Sequence, residues 1–178
     1  MAWETGLTKP KPNLRWWLLG LLAFAIVIML SMAVMRPESV TLGIAEHQAA
    51  GSAARVDEIQ DQWRAGGVRT LAIVAIIGDL IFIGIYGWGS WLAGRSFMAM
   101  RGSARMLGIL IAISAIIFLV TDYTETLLQL VQLLGEQGSD WMAAVAATVR
   151  PVKVAAWIAT FGGVLMALAI RRFGAPPA

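Results

Sequence analysis

The chain has 178 residues, 58% of them hydrophobic and only 14% charged, with a mean hydropathy of +0.72. A soluble domain is nearer half apolar and about a quarter charged, and here the charges fall in short clusters between long apolar runs, as in a chain that faces lipid. No cysteine is present, which excludes disulfides, thiolate metal sites, iron–sulfur ligation and cysteine nucleophiles.

The net charge is +3. Most basic residues sit at the ends of apolar runs, so they speak to topology. No basic, aromatic-interleaved surface points to nucleic acid.

In chain order, the apolar runs predict membrane helices over 16–35, 70–92, 106–134 and 149–170. A helix of ~20 residues, rising 1.5 Å each, crosses a ~30 Å hydrocarbon core. The runs lack period-two alternation, and open sheet edges are not tolerated in lipid. The expected fold is an all-α membrane protein, a four-transmembrane-helix bundle forming a single membrane domain over 1–178. Trp16, Trp17, Trp88, Trp91 and Trp141 lie at the ends of the runs and read as interfacial anchors.

Orientation follows from Lys and Arg. Lys9, Lys11 and Arg15 precede the first helix. Arg95, Arg101 and Arg105 surround the second connection, and Arg171 and Arg172 follow the fourth helix. Glu4 is the one carboxylate among these regions. Both termini are expected in the cytoplasm. A second reading makes the N-terminus a signal peptide cleaved near Ser31-Met32-Ala33; the apolar run continues past that point to Met35.

The first connection, expected outside, holds a short amphipathic helix over 53–63. Ser52 is its cap, Val56, Ile59 and Trp63 form its apolar edge, and Asp57, Glu58 and Asp61 its polar side. Its expected place is the membrane surface, its apolar edge against the bundle or the headgroups. It reads as a cover over the loop, and a substrate lid is the alternative.

Several charges fall inside the apolar runs, where insertion costs roughly 2.5–3.5 kcal/mol for a central Asp or Lys. Asp79 lies on the second helix, Asp122 and Glu125 on the third, Arg150 and Lys153 near the start of the fourth. Counting from the helix ends brings them to one level, toward the extracytoplasmic side. Ser114, Thr121, Asp122, Glu125, Gln129 and Gln132 form one polar stripe. Asp79, Phe82 and Tyr86 share a face, as do Lys153, Trp157 and Thr160.

The expected pairings are Lys153 with Asp122 or Glu125, and Arg150 with Glu125. Asp79 is left to Tyr123, a water or a proton. A low-dielectric site resists net charge, so one carboxyl, Asp79 first, is expected to be protonated at neutral pH. The candidate ligand-binding or buried polar network is therefore Asp79, Tyr86, Asp122, Tyr123, Glu125, Gln129, Arg150 and Lys153.

The small residues Ala155, Ala159, Gly163 and Ala167 recur every four positions, a ridge that admits a close helix neighbour. That neighbour is another helix of this chain, a second copy or a membrane-protein partner, with lipid around the rest. Gly84, Gly87 and Gly89 read as packing positions, with a hinge as the alternative.

The lone histidine, His47, lies in the first connection, so an axial ligand for haem is not expected on a membrane helix. No cofactor or metal set is legible. No phosphate loop, HExxH or nucleophile elbow occurs. Asp122 and Glu125 alone are a weak signal for acid–base work.

The segment from Glu46 through Arg55, with Glu58, Ile59 and Trp63, is followed by Gly78-Asp79-Leu80-Ile81-Phe82-Ile83-Gly84-Ile85-Tyr86. Then come Asp122 with Glu125, Leu127-Leu128 and Pro151-Val152-Lys153. In this order they resemble a group of small bacterial four-helix inner-membrane proteins. The chain has Thr124-Glu125-Thr126 where that group suggests a Glu-Asn step. The resemblance implies the same topology, the same buried polar layer and a bacterial inner-membrane location, and supplies no reaction.

The expected role is a non-enzymatic membrane protein whose polar layer is structural or binds a small ligand or lipid, alone or as a subunit of a larger assembly. The rival is a proton- or cation-coupled transporter, or a small membrane enzyme, using the buried carboxylates.

Overall fold

The computed structural model describes residues 12–173, and every regular element in that range is an α-helix. Glu4, Lys9 and Lys11 lie outside the described residues. The elements are α1 (Arg15–Val34), α2 (Ile44–Gln48), α3 (Ala53–Ala65), α4 (Arg69–Met98), α5 (Ser103–Gly135) and α6 (Asp140–Phe173). Four of them, α1, α4, α5 and α6, are long and apolar enough to cross a membrane.

Two boundaries differ from the sequence reading by more than three residues. Helix α4 runs on to Met98 instead of ending at 92, because Ala93, Gly94 and Phe97 are buried against the bundle. Helix α6 starts at Asp140 instead of 149 and passes through Pro151. Its first turns are rich in alanine, a strong helix former, but too weakly apolar to count toward a span. Proline 151 has no N–H to give the carbonyl four residues back.

The long helices pack in sequence, α4 lying against α1 and α5, and α5 against α6. The inner end of the α4–α5 pair is drawn together by glycine. A Cβ on Gly94 would stand 2.9 Å from the Gly108 carbonyl oxygen, and one on Gly108 would stand 2.7 Å from that of Gly94. Only residues without a side chain allow backbones this close.

The circuit between α1 and α6 closes through aromatic rings. Trp17 stacks on Phe161 with centroids 5.8 Å apart, and Phe24 meets Trp157 at 5.4 Å. Trp17 is thus a core residue, 3% exposed, and the expectation of an interfacial anchor fails there. Trp16, Trp88 and Trp141 are exposed as expected. Elsewhere the outer faces carry bare apolar side chains such as Met29, Ile81, Val120 and Met166.

Helices α2 and α3 cap one end of the bundle. Ser52 caps α3, its Oγ accepting from Arg55 N at 3.4 Å. Val56, Ile59 and Trp63 are almost fully buried, so the apolar edge of α3 turns to the bundle. Trp63 Nε1 donates to the Leu42 carbonyl at 2.7 Å.

Two reciprocal bonds tie α3 to the α5–α6 connection: Ala53 N donates to Asp140 Oδ1 and Gly138 N to Asp57 Oδ1. At the same end Arg69 donates to the Leu133 carbonyl, one of the last of α5, and pairs with Glu136 at 3.0 Å. Glu136 itself holds a left-handed backbone, φ 55°, that terminates α5.

The core is in two parts. One gathers Val34, Ile44, Ile59, Trp63, Ile76 and Leu133 under the cap. The other gathers Trp17, Phe82, Tyr86, Phe118 and Val164 farther along the bundle. The charged layer lies between them, since Asp79 follows Ile76 and precedes Phe82 on α4.

Candidate functional site

Depth along the helices brings the charges together. Asp79 and Glu125 each lie ten residues from the capped end of their helix, and Asp122 and Lys153 thirteen. At 1.5 Å per residue these are about 15 and about 20 Å, one narrow layer.

Within it Lys153 Nζ donates to Asp122 Oδ1 at 2.8 Å and lies 3.0 Å from Glu125 Oε2. The side chains are 11%, 4% and 0% exposed, so this is a buried triad. The pairing of Lys153 with both acids follows from α5 geometry. Asp122 and Glu125 are three apart, so both face one neighbour on α6.

Asp79 is held differently from the expectation. Thr126 Oγ1 donates to its Oδ2 at 3.2 Å. Tyr123, the expected partner, donates instead to the Leu80 carbonyl at 3.2 Å. The rotation of α5 relative to α4 sets this, with Thr126 buried in the seam and Tyr123 at its margin. Asp79 Oδ1 has no hydrogen-bond partner among the described residues.

Arg150 is part-exposed and forms no ion pair with Glu125 within 4.0 Å. Tyr86 is buried one layer below, its hydroxyl 2.8 Å from Thr160 Oγ1. Gln129 is 1% exposed, yet among the described residues neither its oxygen nor its nitrogen has a hydrogen-bond partner, and Glu125 Oε1 likewise has none. The polar stripe of α5 is buried at Ser114, Asp122, Glu125, Gln129 and Gln132. Thr121 departs from it, its hydroxyl bonded back to the Ile117 carbonyl.

A cavity of about 270 Å³ opens beside this layer, between α1 and α6 and beneath α2. Asp79, Asp122 and Lys153 form its polar end, while Phe24, Val27, Phe118 and Trp157 are among its apolar walls. Ile28 and Val154, both on its lining, are 42% and 45% exposed and form lips that face sideways out of the bundle. Below the polar end the path is shut by rings: Phe82 meets Tyr86 at 5.5 Å and Phe118 meets Tyr86 at 5.3 Å.

The roof and the α1 wall were not legible in the sequence. Ile44, Ala45 and Gln48 of α2 lie over the cavity, and a five-residue helix is too short for any periodic pattern. Its one signal is Gly43 with Glu46 three residues on, the Glu46 carboxylate accepting the Gly43 N–H at 2.8 Å. Among the described residues no group of three or more His, Asp and Glu could hold a metal ion.

The small ridge of α6 divides. Gly163 and Ala167 are buried within the chain, Gly163 against Ile111, whereas Ala155 is exposed. No protein-family model, curated protein or solved structure matches the chain.

Proposed function

We propose that this chain is a multi-pass membrane protein that binds an amphiphilic ligand in the cavity between α1 and α6. One observation carries the reading: a single space with a charged end of Asp79, Asp122 and Lys153, apolar walls, and lips directed to the side of the bundle. A ligand with a polar head and an apolar chain matches that division, since ligand pockets pair apolar linings with a few placed polar groups. The buried charges then have a use beyond holding helices together, for which interhelical polar bonds return only ~0.6 kcal/mol on average.

The proposed setting is a bacterial inner membrane with both termini cytoplasmic. The basis is the concentration of Lys and Arg around the second connection and the tails. In this orientation α2 and α3 are extracytoplasmic, and the cavity lies in the outer half of the bilayer.

The experiment is mass spectrometry of the protein purified in mild detergent. Wild type retains a small amphiphile, and Ser31→Phe, which fills the cavity from α1, does not while keeping its melting temperature. Equal retention by the two proteins refutes the reading. A transporter is the second reading, favoured by the unpartnered Asp79 oxygen. It requires the ring layer at Phe82, Tyr86 and Phe118 to part, and predicts ion or proton flux in proteoliposomes.

A further inference from the structure

The polar end of the cavity carries a surplus of acid. Asp79, Asp122 and Glu125 stand against Lys153, which among the described residues is the one base within ion-pair distance of Asp122 and Glu125, and Asp79 has no ion pair there. The Lys153 ammonium is already engaged by Asp122 and Glu125. Asp79 is 9% exposed, lines the cavity, and keeps one oxygen without a partner among the described residues. A buried carboxylate surplus is tolerated only when a proton or a counter-cation balances it.

The neighbouring walls favour the same sign. Phe24, Phe118 and Trp157 line the space, and aromatic faces attract ammonium groups. An anionic head would meet carboxylates, with Lys153 already committed. The volume, about 270 Å³, lies near the lower end of the ~300–1,000 Å³ typical of ligand pockets. It suits a head and the start of a chain, the remainder passing between Ile28 and Val154.

We infer that the cavity takes an ammonium head borne on an alkyl or acyl chain, with Asp79 as its counter-ion. The inference rests on the reading of this space as a ligand site. A bilayer aminophospholipid and a free long-chain amine share the chemistry.

The test uses the full chain in uncharged detergent, incubated separately with phosphatidylethanolamine, dodecylammonium and phosphatidylglycerol, with bound species counted by native mass spectrometry. At least one ammonium probe is retained about tenfold better than phosphatidylglycerol, the scale of one lost charge-assisted contact. Asp79→Asn removes that preference and Asp79→Glu restores it, which separates charge recognition from folding. Retention of phosphatidylethanolamine alone identifies a lipid as the source, and of dodecylammonium alone a free amine.

Retention of phosphatidylglycerol as strong as that of the ammonium probes, or an unchanged preference in Asp79→Asn, overturns the ammonium head and leaves the ligand site standing. Failure to retain any of the three probes also overturns the ammonium head. If, in addition, Ser31→Phe and wild type carry the same species, the ligand site itself fails.

Discussion

Lys153 Nζ sits 2.8 Å from Asp122 Oδ1 and 3.0 Å from Glu125 Oε2, a lysine on α6 shared by two acids one turn apart on α5. Each group alone is expensive to bury, and the mutual attraction offsets that only while all remain together. The triad therefore fixes the register of α5 against α6 at this level. It also leaves Asp79, on α4, free to face the cavity.

Lys153→Met leaves two buried carboxylates without a cation and is expected to lower stability by about 3–5 kcal/mol. Combining it with Asp122→Asn and Glu125→Gln removes the charges together and is expected to recover most of the loss. Thermal melting in detergent reads both; a triple variant as unstable as the single one contradicts the pairing.

Much of this was visible in the chain, and the reasons for the rest are specific. Apolar runs locate α1, α4, α5 and α6, because length and hydropathy alone decide whether a helix spans. Three-residue spacing places Asp122 and Glu125 on one face, and counting from helix ends puts Lys153 at their depth. The partner of Asp79 was misjudged, since Thr126 and Tyr123 are three positions apart and only the packed rotation of α5 chooses between them. The cavity was invisible because the body of α1 is apolar apart from Ser31, and one serine on the cavity wall is too little to mark the side that faces α6. The burial of Trp17 has the same cause.

Two glycines give opposite expectations. Gly108→Ala places a methyl 2.5 Å from the Met98 backbone nitrogen and is expected to cost about 1–3 kcal/mol through overpacking. Gly162→Ala meets nothing within 4 Å inside α6 and is expected to stabilise by roughly 0.5–1 kcal/mol. Melts of the two variants check the close approach of α4 and α5; equal effects would contradict it.

His47 is 2% exposed, its ring 5.0 Å from that of Trp63, and burial pushes its pKa from 6.5 down to about 4. Between these values the unfolded cap binds more protons than the folded one. The contribution is therefore full above about pH 6.5, declines as pH falls, and is lost below about pH 4. The loss is about 3 kcal/mol at most. Hydrogen-exchange protection of α2 and α3, taken relative to the intrinsic rate at each pH, is expected to fall as pH drops through that window, and His47→Phe to flatten the response.

Gln129 is buried, and among the described residues neither amide atom has a partner. An unsatisfied buried polar group costs about 1–3 kcal/mol, so Gln129→Leu is expected to raise the melting temperature. A clear fall would show that the amide is bonded in the working protein.

Because the chain has no cysteine, Ser31→Cys on the cavity wall supplies a single thiol, with Ala54→Cys on the exposed side of α3 as its control. The rate of labelling by a methanethiosulfonate reagent, with and without dodecylammonium, tests occupancy of the space most directly. Slowing at position 31 alone, abolished by Asp79→Asn, is the predicted result. Labelling at position 31 that ignores both the amine and Asp79 would contradict it.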